Sequence, residues 1–134
     1  MRKSVTQGSR NGCGIACFAF VCKVSYKDTE KFLGNKQAKS DRFTVKDFVK
    51  ELNRYGLPYK AKHIKPYQGT TFNEGTIVLI RRSKKYPVGH YLVKHEGQWM
   101  DPWINLMQDK NLDNATSGYR KRLPDKPMYA IYPT

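Results

Sequence analysis

A chain of 134 residues with 39% hydrophobic and 13% aromatic residues can bury one real core, and residues 1–134 are read as a single domain. Twenty-five Lys and Arg against 11 Asp and Glu leave a net charge of +14, which would attract nucleic acid, an anionic membrane surface or an acidic protein partner. No apolar run approaches the roughly 20 residues that cross a bilayer. The apolar stretch from Ile15 to Val24 is too late for a secretory signal and is interrupted by Lys23, so a cytoplasmic location is expected, with any export by a signal-independent route.

In chain order, residues 1–12 are polar and rich in Gly, Ser and Asn, and predict a loop. From Cys13 the apolar positions Cys13, Ala16, Cys17, Phe20 and Val21 have helical spacing, and Ile15, Phe18 and Ala19 widen the stripe until it covers almost the whole circumference. A helix that is apolar nearly all round is a buried one, and this one should end near Cys22. Ser25-Tyr26-Lys27-Asp28 has the spacing of a capping box before a short helix, Thr29 to Leu33, that Gly34 would stop. Thr44 to Asp47 repeats the cap signal; Val45, Phe48, Val49, Leu52 and Tyr55 then mark one helical face as far as Gly56.

After Pro58 the pattern becomes that of strands. Tyr59 to Ile64 alternates, Thr76 to Ile80 is continuously apolar, His90 to His95 and Gln98 to Asp101 flank a Glu96-Gly97 turn, and Met128 to Tyr132 closes the series. Residues 107–127 are polar without clear period and predict a long surface loop. Helices first and antiparallel strands after them is the α+β pattern. The basic residues are scattered, with modest clusters at Arg81-Arg82-Ser83-Lys84-Lys85 and Arg120-Lys121-Arg122, so the charge alone fits a solvated face as well as a polyanion site.

The three cysteines, Cys13, Cys17 and Cys22, are too few and too close for a disulfide framework and lack metal-site spacing; no metal or cofactor is expected. Cys17 and Cys22 are read as small buried hydrophobes. Cys13 differs, because it lies where a turn-rich loop becomes a helix. Unpaired N–H groups and the positive end of the helix dipole favour thiolate over thiol at such a place.

Two partners are available. Counting outward from the Glu96-Gly97 turn places Asp101 opposite Leu92, roughly two residues from His90, so one hairpin brings His90 and Asp101 to the same end. A Cys–His pair needs a third group to orient the imidazole, and an aspartate suits that role. Gln7, upstream in the loop, could join the Cys13 N–H in holding a developing oxyanion, while Gly12 and Gly14 would let a substrate backbone approach. Trp99 and Trp103 flank Asp101 as a shield from water or as plain core. Each residue has an ordinary reading: a buried thiol, a strand-end histidine, an aspartate opening a turn, a loop glutamine. His63 and His95 take that reading outright. The others gain weight by occurring together in one order.

Gln7, Asn11-Gly12-Cys13-Gly14, Gly89-His90-Tyr91 and Asp101-Pro102 resemble the motifs of papain-like cysteine peptidases, above all the bacterial branch that removes double-glycine leader peptides from bacteriocins. The resemblance implies a papain-like fold, with N-terminal helices packed on a C-terminal antiparallel sheet. It implies Cys13 as nucleophile, His90 as base, Asp101 as third member of a triad and Gln7 as oxyanion-hole residue. It also implies a peptide or protein substrate, cut after Gly-Gly in that branch. Where the family often has Asp-Cys-Gly, this chain has Gly12 before Cys13. Two other readings stand beside it: a papain-like bacterial toxin or effector that acts on or binds nucleic acid, and a catalytically inactive domain used as a binding surface.

Overall fold

The computed structural model describes residues 2–38, 43–65 and 71–134. Three helices come first: α1 (Cys13–Cys22), α2 (Tyr26–Ala38) and α3 (Val45–Tyr55). Six described strands follow: β1 (Tyr59–His63), β2 (Ile77–Ile80), β3 (His90–His95), β4 (Gln98–Asp101), β5 (Gly118–Arg120) and β6 (Pro127–Pro133). They form one sheet in the order β1-β6-β2-β3-β4-β5, every neighbouring pair antiparallel. The separation of helices from antiparallel strands makes the fold α+β. Among the described residues no helix is long and apolar enough to cross a membrane.

Helix α1 is buried from Cys13 to Phe20, as its all-round apolar character requires, with β3 on one side and α2 on another. Lys23, in the left-handed region at φ 60°, ends it. Helix α2 starts at Tyr26, earlier than Thr29, because Ser25 caps it: Asp28 N donates to Ser25 Oγ at 3.0 Å. Gly34 leaves helical geometry there (φ 81°, ψ 167°), yet the chain resumes helical turns to Ala38, so the expected stop is a kink. Helix α3 follows its signals at both ends. Asp47 N donates to Thr44 Oγ1 at 3.1 Å, and Gly56 adopts φ 109° after the last turn.

The middle strands are covered on both faces. Ile77, Tyr91, Val93, Met100 and Ile131 meet Phe18, Phe20, Phe48 and Leu52 on the helical side. Val78, Ile80, Leu92 and Trp99 pack on the other side with Tyr86. This is the alternation that a pleated strand imposes. In the β3–β4 hairpin, Glu96 (φ 48°) and Gly97 (φ 79°) both take left-handed conformations, the geometry of a two-residue type I′ turn. That turn sets the register: His95 pairs with Gln98 and Val93 with Met100. One further step puts Asp101 opposite Leu92, on the same face as His90.

The stretch 107–127 is not simply a loop. It holds one turn of 3-10 helix (Leu112–Asn114) and β5, which pairs Trp99 with Arg120 and Asp101 with Gly118. Three half-buried residues are too few to show a period in the sequence. Their strand character comes from the free edge of β4, which β5 covers.

Candidate active site

Cys13 is the first residue of α1, preceded by Gly12, which offers no side-chain cap to the helix. The first N–H groups of the helix therefore have no intrahelical partner. His90 opens β3 directly after Gly89, whose φ of 80° is the left-handed region that favours glycine. A Cβ at Gly89 would lie 2.9 Å from the Ile80 carbonyl oxygen, so the bare backbone lets the chain turn tightly onto β2 and deliver His90.

The hairpin brings the two polar residues into contact. His90 Nε2 lies 2.7 Å from Asp101 Oδ1, with both side chains buried. Cys13 lies near enough to His90 to interact with the ring nitrogen that Asp101 leaves free. Thiol, imidazole and carboxylate thus lie together, with the imidazole hydrogen-bonded to the carboxylate and facing the thiol. Tyr86 stacks on the imidazole, with ring centroids 4.9 Å apart and planes at 19°, and fixes the plane of the ring.

Asp101 has no exposed surface but three donors. Besides His90, Arg120 Nε donates to Oδ2 at 2.6 Å and Trp103 N donates to Oδ1 at 3.0 Å. Burial raises its pKa, but the bonds and charges of His90, Arg120 and the Trp103 N–H outweigh it and hold the carboxyl below the usual range. Burial likewise pulls His90 down, while its bonds to Asp101 and Cys13 and the attraction of both carry it up to about 10. The buried pair thus favours a protonated ring beside an ionised carboxylate.

The other two thiols differ. Cys17 is fully buried one turn deeper, where burial, then the charges of Cys13 and Asp101, push it well up. Burial alone pushes Cys22 up to about 12.

Gln7 is buried, and its main-chain N–H donates to the Pro102 carbonyl at 3.2 Å, tying the N-terminal loop to the chain just beyond Asp101. Its side-chain Nε2 donates to the carbonyls of Ser9 and Arg10, each at 3.0 Å. Its Oε1 is buried without a partner among the described residues. The amide therefore lies beside the site with its N–H groups engaged by its own loop.

Two cavities meet at Cys13. A groove of about 1120 Å³ runs between α3 and the strands β1, β2 and β6, and a smaller cavity of about 300 Å³ is lined by Gln7, His90, Tyr86 and Trp103. Asn11, Cys13, Val88 and Gly89 line both.

No family model matches the sequence, and no curated protein does. A solved structure matches its shape. Over 96% of this chain and 94% of the other, the fold superposes on the peptidase domain of Streptococcus ComA, a bi-functional ABC transporter involved in a quorum-sensing pathway, with a TM-score of 0.56 and 21% identity. The chain has the fold of that peptidase domain. The likeness in shape thus spans nearly the whole chain trace.

Within this peptidase-domain fold, His90 and Asp101 are in contact, Cys13 joins them, and Gln7 lines the same cavity. The two glycines beside Cys13 have a packing reason of their own. A Cβ on Gly12 would lie 2.2 Å from the Tyr26 hydroxyl and 2.7 Å from Ser9 Oγ, and one on Gly14 would lie 2.9 Å from Phe43. The space a Cβ would take is filled by the protein's own side chains. Tyr26 also gives a steric reason for glycine at position 12, where the resembling family often has aspartate. Trp103, with its N–H on Asp101, belongs to the site, whereas Trp99 packs in the second core cluster against Phe72.

Arg120 and Tyr86 were not legible as site residues. Arg120 sits in a basic cluster that reads as solvated surface, and only the β4–β5 pairing aims it at Asp101. Tyr86 precedes Pro87 in a loop, and nothing in its neighbours signals a stacked ring. His95 bonds Glu74 through Nδ1 at 2.5 Å, and His63 is an exposed ring beside Tyr129; neither lines a cavity that contains Cys13.

Proposed function

We propose that residues 1–134 act as one papain-like cysteine peptidase domain that hydrolyses a peptide bond with Cys13, His90 and Asp101. The observation that carries this reading is the hydrogen-bonded His90–Asp101 pair beside the Cys13 thiol at the start of a buried helix, at the point where two cavities meet. The ComA peptidase-domain fold supports the same reading, and the motif resemblance makes a double-glycine site the first bond to test.

Cys13 Sγ, as thiolate, attacks the scissile carbonyl carbon. The carbonyl oxygen gathers negative charge where the N–H groups of the first turn of α1 point. His90, protonated beside Asp101, gives its proton to the leaving nitrogen as the C–N bond breaks, leaving a thioester on Cys13. Water then attacks the thioester carbon, His90 takes its proton, and the C–S bond breaks to release the acid. Asp101 keeps the ring oriented and stabilises each imidazolium, and is itself held by Arg120 and the Trp103 N–H. Gln7 serves as the second oxyanion donor by exchanging one of its loop carbonyls for the substrate oxygen.

The test is hydrolysis of synthetic peptides containing Gly-Gly, with products mapped by mass spectrometry. Wild-type protein should cut after the second glycine, and Cys13→Ala and His90→Ala should each lose about three orders of magnitude or more in rate. Cleavage that survives Cys13→Ala would sink the assignment.

A further inference from the structure

Of the two cavities beside Cys13, only the smaller is also lined by His90. Its rim carries Arg10, Lys84, Lys85 and Lys110, which arrive from the N-terminal loop, the β2–β3 connection and the chain after β4. Among the described residues no Asp or Glu lines it, and no described acid forms an ion pair with any of these cations. Asp125 attracts Lys85 but lies outside the lining, and its carboxylate already accepts from Arg81 at 2.8 Å and from the Lys126 N–H at 2.7 Å. The wall also holds two buried polar atoms without a partner among the described residues, the Nε1–H of Trp103 and the Oε1 of Gln7. Trp103 is 1% exposed and Gln7 4%. Native folds rarely leave a buried donor or acceptor unmade, so this wall suits a ligand that brings an acceptor and a donor of its own. The large groove carries cations too, at Lys46, Lys60, Arg81 and Arg82, but no such atom among the described residues.

We infer that the smaller cavity is an anion site on the leaving side of the reaction centre, filled by a carboxylate of the segment that departs as the thioester forms. The side rests on the peptidase reading, in which His90 gives its proton to the leaving nitrogen, so that the departing segment lies against His90. The anion site itself does not depend on that reading. The cations supply the attraction, and Trp103 Nε1–H supplies an oriented donor to a carboxylate oxygen. Gln7 Oε1 decides between a carboxylate carried by a peptide and a free phosphate. An acceptor in the wall repels a bare anion but suits a main-chain N–H of the same segment. The cavity, about 300 Å³, is at the small end of ligand sites, which places the carboxylate close behind the scissile bond.

The chain has two tryptophans, so isotope-labelled protein gives two indole N–H resonances, assigned through Trp99→Phe. Trp99 packs in the second core cluster and does not line the cavity, which makes it the internal control. The Cys13→Ala chain is titrated with inorganic phosphate and with three peptides identical through Gly-Gly. Just after it they carry Glu with an amidated end, Gln with an amidated end, or Gln with a free C-terminal carboxylate; wild type reports their cleavage. At least one carboxylate-bearing peptide should saturate the Trp103 shift at about tenfold lower concentration than the neutral peptide, and the one that does so names the source of the carboxylate. High salt should shrink the difference, and Lys84→Ala/Lys85→Ala should remove it with the Trp99 resonance in place. No shift with any anion, or equal saturation by charged and neutral peptides, overturns the inference. A shift with phosphate alone also overturns it, and assigns the cavity to a free anion. A carboxylate preference without cleavage of any peptide leaves the anion site standing and removes the peptidase reading.

Discussion

Arg120 offers a quantitative test of how the buried carboxylate is held. Asp101 is fully buried, and Arg120→Ala removes one of its three donors, the guanidinium Nε at 2.6 Å. Breaking a buried ion pair by removing one partner costs about 3–5 kcal/mol, and a hydrogen bond to a charged group contributes about 1.5–3 kcal/mol. Two features lower the figure here. The Arg120 side chain is 25% exposed, so water can partly replace it, and the bonds from His90 and the Trp103 N–H remain. A loss of about 2 kcal/mol follows, which for a domain of this size lowers Tm by roughly 5–10 °C. The assay is thermal unfolding followed by circular dichroism across acidic to neutral pH. Because folding lowers the pKa of Asp101, its stabilising contribution is present above the unfolded carboxylate value and is lost as pH falls through the lower folded value. The gap between wild type and Arg120→Ala should therefore be full near neutrality and close in strong acid. Arg120→Lys should recover part of it. A variant that melts with wild type at neutral pH, or a gap that does not change with pH, would refute the reasoning.

Three further outcomes are expected. His90 is raised from 6.5 to about 10 in the fold, so its contribution to stability is full below 6.5 and lost as pH rises through about 10. Peptide hydrolysis should hold through neutrality and fall with an alkaline limb near that value, and a limb near 6.5 would show that the Asp101 contact does not act as described. Gln7→Ala should lower kcat by about 10²–10³ with little change in KM, the signature of a lost oxyanion donor; a drop of less than about threefold removes Gln7 from that role. Gly89→Ala places a Cβ 2.9 Å from the Ile80 carbonyl at a φ of 80°, and should cost about 1–3 kcal/mol while displacing His90. Tm and activity should fall together, and an unchanged Tm would show that the turn tolerates a side chain.

What the sequence revealed and what it hid have the same physical origin. Local signals were legible. The Thr44 cap, the Gly56 stop and the two-residue Glu96-Gly97 turn are each set by residues within one turn of the chain. Because that turn fixes a register, the meeting of His90 with Asp101 could be counted out in advance. Contacts made by distant, short or polar segments were hidden. Strand β5 exists because β4 offers it an edge, and the path of Arg120 to Asp101 depends on that pairing. The glycines beside Cys13 were legible as glycines, yet the rings of Tyr26 and Phe43 that require them lie elsewhere in the sequence. The charge, uninformative as a scattered total, becomes specific once the fold gathers cations around the two cavities.

The claim at the centre is that Cys13, alone among the three thiols, is built to react. Accessibility by itself predicts the opposite order, since Cys22 is only half-buried while Cys13 is 7% exposed and Cys17 has no exposed surface. The direct measurement is limited alkylation with iodoacetamide near neutral pH, with each modified cysteine mapped by mass spectrometry, in wild type and in His90→Ala. Cys13 should be modified far faster than Cys22 or Cys17, and should lose that lead when His90 is removed. Modification of Cys22 first, or a Cys13 rate indifferent to His90, would contradict the account.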